Sequence, residues 1–160
     1  MDYELEQLSR DVGDWLAARS FVLATAESCT GGWIAEVVTA TSGSSAWFDR
    51  GWVTYSNEAK EEMLGVPAEI LASDGAVSEA VVRAMAEGAL IHSRASHTVA
   101  VSGVAGPSGG SDEKPVGTVW IAWAARGEKT RAELHHFNGK REEVRQQTVC
   151  RALRALCGEA

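Results

Sequence analysis

The stretch FVLATAESCTGGWIAEVVTA, residues 21–40, changes period in its middle. Its first seven residues are a short apolar run rich in strand formers, and beyond the Gly31–Gly32 pair the apolar residues Ile34, Val37 and Val38 recur at helical spacing. A strand passing through a glycine turn into a helix is the building step of an α/β fold. Ahead of it, Leu5, Leu8, Val12, Trp15 and Leu16 share one face of an amphipathic helix over 5–16, with Asp2 and Glu4 suited to its positive end. After it, SGSSAW (42–47) is turn-like and FDRGWVTYS (48–56) reads as a strand ending at Tyr55 and Ser56. Asn57 is placed to cap the helix EAKEEML, which Gly65 and Pro67 close.

The second half continues in kind. Ser78 caps a long helix over about 79–94 that turns Val81, Val82, Met85, Ala89 and Leu90 inward, and HTVAVSG (97–103) is a strand. VAGPSGGSDEKPVG (104–117) is a glycine-rich loop, TVWIAWAA (118–125) and RAELHHF (131–137) are strands joined through Gly127, and a last helix covers about 140–157. That helix carries Val144, Thr148, Val149, Ala152, Leu153 and Leu156 on one side. No repeat, low-complexity tract or linker interrupts the chain. The order predicts a single domain over 1–160, a three-layer α/β/α sandwich around a mainly parallel mixed sheet that gains an antiparallel hairpin late.

Composition narrows the function classes. With 45% hydrophobic and 23% charged residues in 160, the chain has the make-up of an ordinary folded domain, and a formal charge of -7 opposes broad nucleic-acid binding. The N-terminus MDYELEQLSR lacks the basic and apolar regions of a signal peptide, and no run approaches the ~20 apolar residues of a membrane span. The expected setting is therefore cytoplasmic, without membrane or nucleic-acid partners. Cys29, Cys150 and Cys157 lack metal-ligand spacing, His135 and His136 alternate across a strand, and neither HExxH nor CxxC occurs. No metal and no cofactor is expected.

In open α/β sheets ligands bind beyond the carboxyl ends of strands, which selects three segments: Glu27 to Gly32, Thr54 to Lys60 and Ser102 to Gly110. The fold should bring all three to one sheet edge. In TAESCTGG (25–32) a hydroxyl or thiol sits where backbone N–H groups are unpaired and the helix dipole favours negative charge, although Ser28 or Thr30 would serve equally as a helix N-cap. Cys29 in that position is a candidate nucleophile if the helix start lowers its pKa. Tyr55 and Lys60 are capable of proton transfer into the same cleft, and Lys60 would otherwise be a solvated helix residue. The glycine loop offers backbone N–H groups to a phosphate or ribose. Arg141 and Arg145, four apart near a helix start, suit a phosphate clamp, or else pair with Glu142, Glu143 or solvent.

Taken together, AESCTGG, GSSAWFDRGWVTYSNEAKEEMLGV, GAVSE, SGVAGPSGGSDEKPVGTVWIA and REEVRQQTV resemble the C-terminal domain family of the competence/damage-inducible protein A over about residues 5–156. The resemblance implies hydrolysis of the carboxamide of nicotinamide mononucleotide to nicotinate mononucleotide and ammonia, in pyridine nucleotide recycling, by a metal-free serine mechanism. It places the nucleophile on Ser28 and proton transfer on Lys60 and Tyr55. The substrate contacts it implies fall on Glu27, Cys29, Thr30, Gly31, Gly103, Ala105, Gly106, Arg141 and Arg145, and it suggests a homodimer. Family members commonly carry Gly-Pro-Gly-Gly where this chain has Ser108 in GPSGG; a serine at a position requiring positive φ would strain the loop. The chain carries no counterpart of the N-terminal domain of longer relatives, so no pyrophosphatase activity is expected of it. The alternative is a nucleotide-binding or interaction module that keeps the fold without turnover, in a competence or DNA-damage response.

Overall fold

The computed structural model describes residues 1–159, so of the expected 1–160 unit Ala160 lies outside the described residues. Helix α1 (Tyr3–Arg19) leads into strand β1 (Leu23–Glu27), helix α2 (Trp33–Thr39), a 3₁₀ turn (Ser44–Ala46) and strand β2 (Phe48–Val53). There follow helices α3 (Asn57–Leu64), α4 (Ala68–Asp74) and α5 (Glu79–Ile91), strands β3 (His97–Gly103), β4 (Thr118–Ala125) and β5 (Arg131–His136), and helix α6 (Arg141–Leu156). The sheet order is β2-β1-β3-β4-β5. β1 pairs in parallel with β2 and β3, whereas β3 with β4 and β4 with β5 are antiparallel. Four strands therefore run one way and only β4 opposes them, although the pairings divide evenly between parallel and antiparallel. Among the described residues no helix is long and apolar enough to cross a membrane.

Strand alternation sends two unlike sets of side chains to the two faces. Leu23, Val99, Val101, Val119, Ile121 and Trp123 pack with buried residues of α1, α2 and α6, including Leu8, Val12, Ile34, Val37, Val149 and Leu153. The opposite face presents Ala26, Ala100, Ala122 and Ala124 to Val81, Val82, Met85 and Ala89 of α5 and to Leu64 and Leu71. Small side chains on that face let α5 lie close to the sheet, with α3 and α4 against it. The layers of the sandwich are thus filled by large residues on one side and by a close helix on the other.

Local signals set most boundaries, and the differences from expectation have identifiable causes. Asp2 caps α1 by accepting the Leu5 N–H at 2.9 Å, and the helix runs on to a left-handed Ser20, where the Ser20 N–H is satisfied by carbonyls of the last turn. β1 starts at Leu23 rather than Phe21 because the Val22 backbone is held by Ser96 Oγ and by the Ser96 and His97 N–H groups. β2 ends at Val53, and Ser56, not Asn57, caps α3: its hydroxyl accepts the Ala59 N–H at 3.0 Å. α4, which shows little apolar periodicity in sequence, starts behind Pro67 and stops at Gly75. α5 ends at Ile91, short of the expected 94, where the His92 ring meets the Gly88 carbonyl.

Gly88 marks the tightest of these contacts, because a Cβ there would collide with the backbone carbonyl of Leu64 at the end of α3. Gly88→Ala must push α3 and α5 apart; the expected cost is about 1–3 kcal/mol, read by calorimetry or chemical denaturation as a lowered Tm and midpoint.

Candidate active site

The parallel register brings the ends of three strands to one edge, since Glu27 of β1 faces Val53 of β2 and Val101 of β3. Two hydrogen bonds extend this alignment past the strands: Ser28 N–H donates to the Val101 carbonyl at 3.1 Å, and Thr54 N–H to the Glu27 carbonyl at 2.8 Å. A cleft of about 380 Å³ opens there, and the three segments selected from sequence all contribute to its walls. Ser28 and Cys29 come from the first, Tyr55 and Lys60 from the second, and Gly103, Ala105 and Gly106 from the third, with Arg141 of α6 closing one side.

At its floor lies an unusual buried lysine. Lys60 is only 1% exposed, and its Nζ stands 3.0 Å from Ser28 Oγ, 2.7 Å from the Thr54 carbonyl oxygen and 3.2 Å from that of Tyr55. No carboxylate pairs with it among the described residues. Burial without a counter-ion penalises the ammonium, and the pKa of Lys60 is pushed below its ordinary 10.5. A neutral amine has two N–H donors and one lone pair. In that form, with the two carbonyls taking the donors, the lone pair would face the Ser28 hydroxyl proton, whereas the ammonium donates to all three oxygens.

Cys29 is a poor rival. Its side chain belongs to the core on the α1, α2 and α6 face, and burial pushes the thiol up to about 12, so it stays protonated. The backbone is more useful than the sulfur. The N–H groups of Cys29, Ala105 and Gly106 donate no hydrogen bond among the described residues, and all three residues line the cleft.

The structure separates the other predicted residues into those that reach the cleft and those that do not. Tyr55 is 62% exposed, and its hydroxyl accepts from Arg141 Nη2 at 3.2 Å instead of touching Ser28 or Lys60. Arg141 Nη1 donates to the Gly106 carbonyl at 2.8 Å, and the guanidinium has no acidic partner among the described residues. Arg145 does not share that position: its Nε and Nη2 donate to the Cys29 and Thr30 carbonyls at 3.0 and 3.2 Å, and its guanidinium lies over Trp33. Thr30, Gly31 and Arg145 line a separate shallow pocket with Gly32, Trp33, Glu36 and Glu142. Neither Ser28 nor Thr30 caps α2.

Glu27 does that instead. Buried beneath the turn, its carboxylate accepts the Ile34 and Ala35 N–H groups at 2.8 and 3.1 Å and the Thr30 hydroxyl at 2.5 Å. The strand residue just before Ser28 therefore caps the helix that follows. Ser108 is not in the left-handed region, which among non-glycine residues described holds Ser20 alone, so it does not strain the loop. Gly109, beside it, carries the positive φ of 88°. Two cleft residues had drawn no role from sequence: Ala76 and Val77, in GAVSE, where the Ala76 carbonyl accepts from Ser102 Oγ at 2.8 Å. Gly75 and the Ser78 cap mark a turn there, but nothing local shows that the turn folds over the cleft.

The fold and site define a three-layer α/β protein with a serine and a desolvated lysine in contact beyond the carboxyl ends of its parallel strands. The chain belongs to the CinA C-terminal domain family, whose model matches residues 5–159. It is 60% identical over 157 residues to a protein of Escherichia coli K12 named nicotinamide-nucleotide amidohydrolase PncC, covering 97% of this chain and 94% of that one. A CinA-like protein of Akkermansia muciniphila is 56% identical over 141 residues, which make up 88% of this chain but 34% of that longer one. Among solved structures, the competence/damage inducible protein CihA from Agrobacterium tumefaciens superposes with a TM-score of 0.94 at 46% identity, covering 98% of this chain and 95% of that one.

Glu27→Ala would leave two buried donors and one half-buried donor unsatisfied at the turn. The expected loss is about 2–4 kcal/mol, measured by denaturant unfolding, with Glu27→Gln intermediate because it keeps the shape and one acceptor oxygen.

Proposed function

We propose that this protein hydrolyses the carboxamide of nicotinamide mononucleotide, giving nicotinate mononucleotide and ammonia, with Ser28 as nucleophile and Lys60 as the base. The observation that carries the reading is the 3.0 Å contact between Ser28 Oγ and a lysine amine whose charged form burial disfavours. A serine hydroxyl needs such a base to attack near neutral pH. The relative named for this activity aligns over nearly the whole of both chains.

The steps follow from the positions. Lys60 Nζ takes the hydroxyl proton as Ser28 Oγ bonds to the amide carbon, and the carbonyl π electrons move onto oxygen. The resulting oxyanion is met by the free N–H of Cys29 and by those of Ala105 or Gly106, an interaction worth about 3–4 kcal/mol per donor when preorganised. As the C–N bond breaks, the proton on Lys60 passes to the leaving nitrogen and ammonia departs. Water then attacks the acyl-serine: Lys60 accepts one of its protons and returns it to Ser28 Oγ as the C–O bond breaks, and the acid so formed gives its remaining proton to solvent and leaves as the carboxylate. Tyr55 and Arg141 stand at the mouth, where Arg141, which pairs with no carboxylate among the described residues, is the cation for the 5′-phosphate together with N–H groups of the glycine loop. Recycling of pyridine nucleotides is the role such a reaction would serve.

Purified protein incubated with nicotinamide mononucleotide should release ammonia and nicotinate mononucleotide. Ser28→Ala and Lys60→Met should each lower kcat at least about 10³-fold; binding without turnover in the wild type would instead leave the binding-module reading. In wild type kcat/KM should rise with pH through one ionisation below 10.5, that of Lys60, because the neutral amine is the working form. The same depression means that the folded state binds fewer protons than the unfolded chain between the folded pKa and 10.5. The contribution of Lys60 to stability therefore increases as pH rises through that interval and is lost as pH falls through the folded pKa.

A further inference from the structure

Arg145 is placed strangely for a residue next to an anion-binding cleft. It lies on the same helical face as Arg141, one turn further on, yet its guanidinium is spent on two backbone carbonyls of the nucleophile turn. No carboxylate lies within ion-pairing distance of it among the described residues, although Glu36 and Glu142 line the same shallow pocket. A charge left unneutralised by acids and aimed at peptide oxygens polarises the peptides that carry them.

Following the bonds from Arg145 leads back to the cleft. Nη2 donates to the Thr30 carbonyl. The N–H of that same peptide unit belongs to Gly31, and it donates to the Ser28 carbonyl at 3.1 Å. The N–H of the Ser28 peptide unit in turn belongs to Cys29, which is the unpartnered donor in the cleft wall. Along a second arm, Nε donates to the Cys29 carbonyl, whose peptide N–H belongs to Thr30 and is also without an acceptor among the described residues. Hydrogen bonds in series strengthen one another, since donation into a carbonyl makes the N–H of the same peptide a better donor. Glu27 grips the turn from beneath, through the Thr30 hydroxyl and the first amides of α2, so the peptide planes are held from both sides.

We propose that Arg145 is a positioning residue for the oxyanion site: through the Thr30–Gly31 and Ser28–Cys29 peptides it orients and polarises the Cys29 N–H, and it does not contact the substrate phosphate. The proposal rests on the amidohydrolase reading above. It also assigns the two arginines different tasks, with Arg141 recognising the substrate anion and Arg145 acting on the transition state.

Steady-state kinetics of Arg145→Ala, Arg145→Lys and Arg141→Ala, on nicotinamide mononucleotide and on its dephosphorylated nucleoside, separate these tasks. For Arg145→Ala the expected result is a kcat lowered about ten- to a hundredfold, below the ~10²–10³ of losing an oxyanion donor outright. KM and the preference for nucleotide over nucleoside should stay as in wild type, and Arg145→Lys, able to keep one of the two bonds, should recover part of kcat. Arg141→Ala should raise KM and erode the preference. Arg145→Ala with kcat intact and KM raised, or with the phosphate preference lost, would overturn the proposal and make Arg145 a substrate ligand. If Arg145→Ala does not fold, the lysine variant carries the same comparison. A wild-type protein that releases no ammonia would defeat the amidohydrolase reading itself. The relay then still has its own readout in the amide proton shifts of Cys29 and Gly31, which should move upfield in the Arg145 variants; unchanged shifts would sink it.

Discussion

A lysine amine buried against a serine hydroxyl, with two backbone carbonyls and, among the described residues, no acid for company, is the constraint around which this molecule is arranged. Such a group is costly to bury charged, and it persists only where the surrounding structure over-determines its position. The structure supplies that determination in layers. The parallel pairing of β1 with β2 sets Ser28 beside Thr54 and Tyr55, Ser56 starts α3 at the turn that follows, and α5 packs so closely on α3 that only glycine fits at position 88. The small residues on the α5 face of the sheet thus have a consequence at the cleft, because they let α5 sit where it can hold the helix that carries Lys60.

The serine is held as firmly from the other direction. A turn that holds Ser28 against Lys60 and leaves amides free cannot use those amides for its own satisfaction, which leaves the start of α2 in need of an acceptor. Glu27 provides it from the preceding strand, and Arg145 meets the carbonyls the turn leaves outward. An acid below and a base above freeze the backbone while neither side chain enters the cleft. The resulting economy of polar groups leaves Arg141 and the glycine loop as the places with unsatisfied capacity for an anion.

Much of this was legible in the residues. The change of period at Gly31, the strand and helix order, and the rule that α/β sheets bind ligands beyond their carboxyl edges together selected Ser28, Lys60 and the glycine loop, and the structure places them around one cleft. Roles were harder to read. Arg145 looks from its spacing with Arg141 like a substrate ligand, and the resemblance implies the same of Glu27, but the carboxylate caps a helix and the guanidinium bonds to carbonyls. Nothing in the types of these residues distinguishes a carboxylate that faces a ligand from one that faces a helix end. Ser108 suggested strain that the backbone does not have, since the positive φ falls on Gly109.

The sequence by itself determined what depends on neighbours along the chain: the elements, through apolar period and capping residues, and the two faces of each strand, through alternation. Tertiary structure alone decided what depends on groups brought together from afar. The depressed pKa of Lys60, the protonated state of Cys29 and the different partners of Arg141 and Arg145 all arise from burial and from backbone oxygens and amides. Every residue carries those backbone atoms alike, so no pattern of side chains announces them; only folding decides which of them are left facing a buried charge.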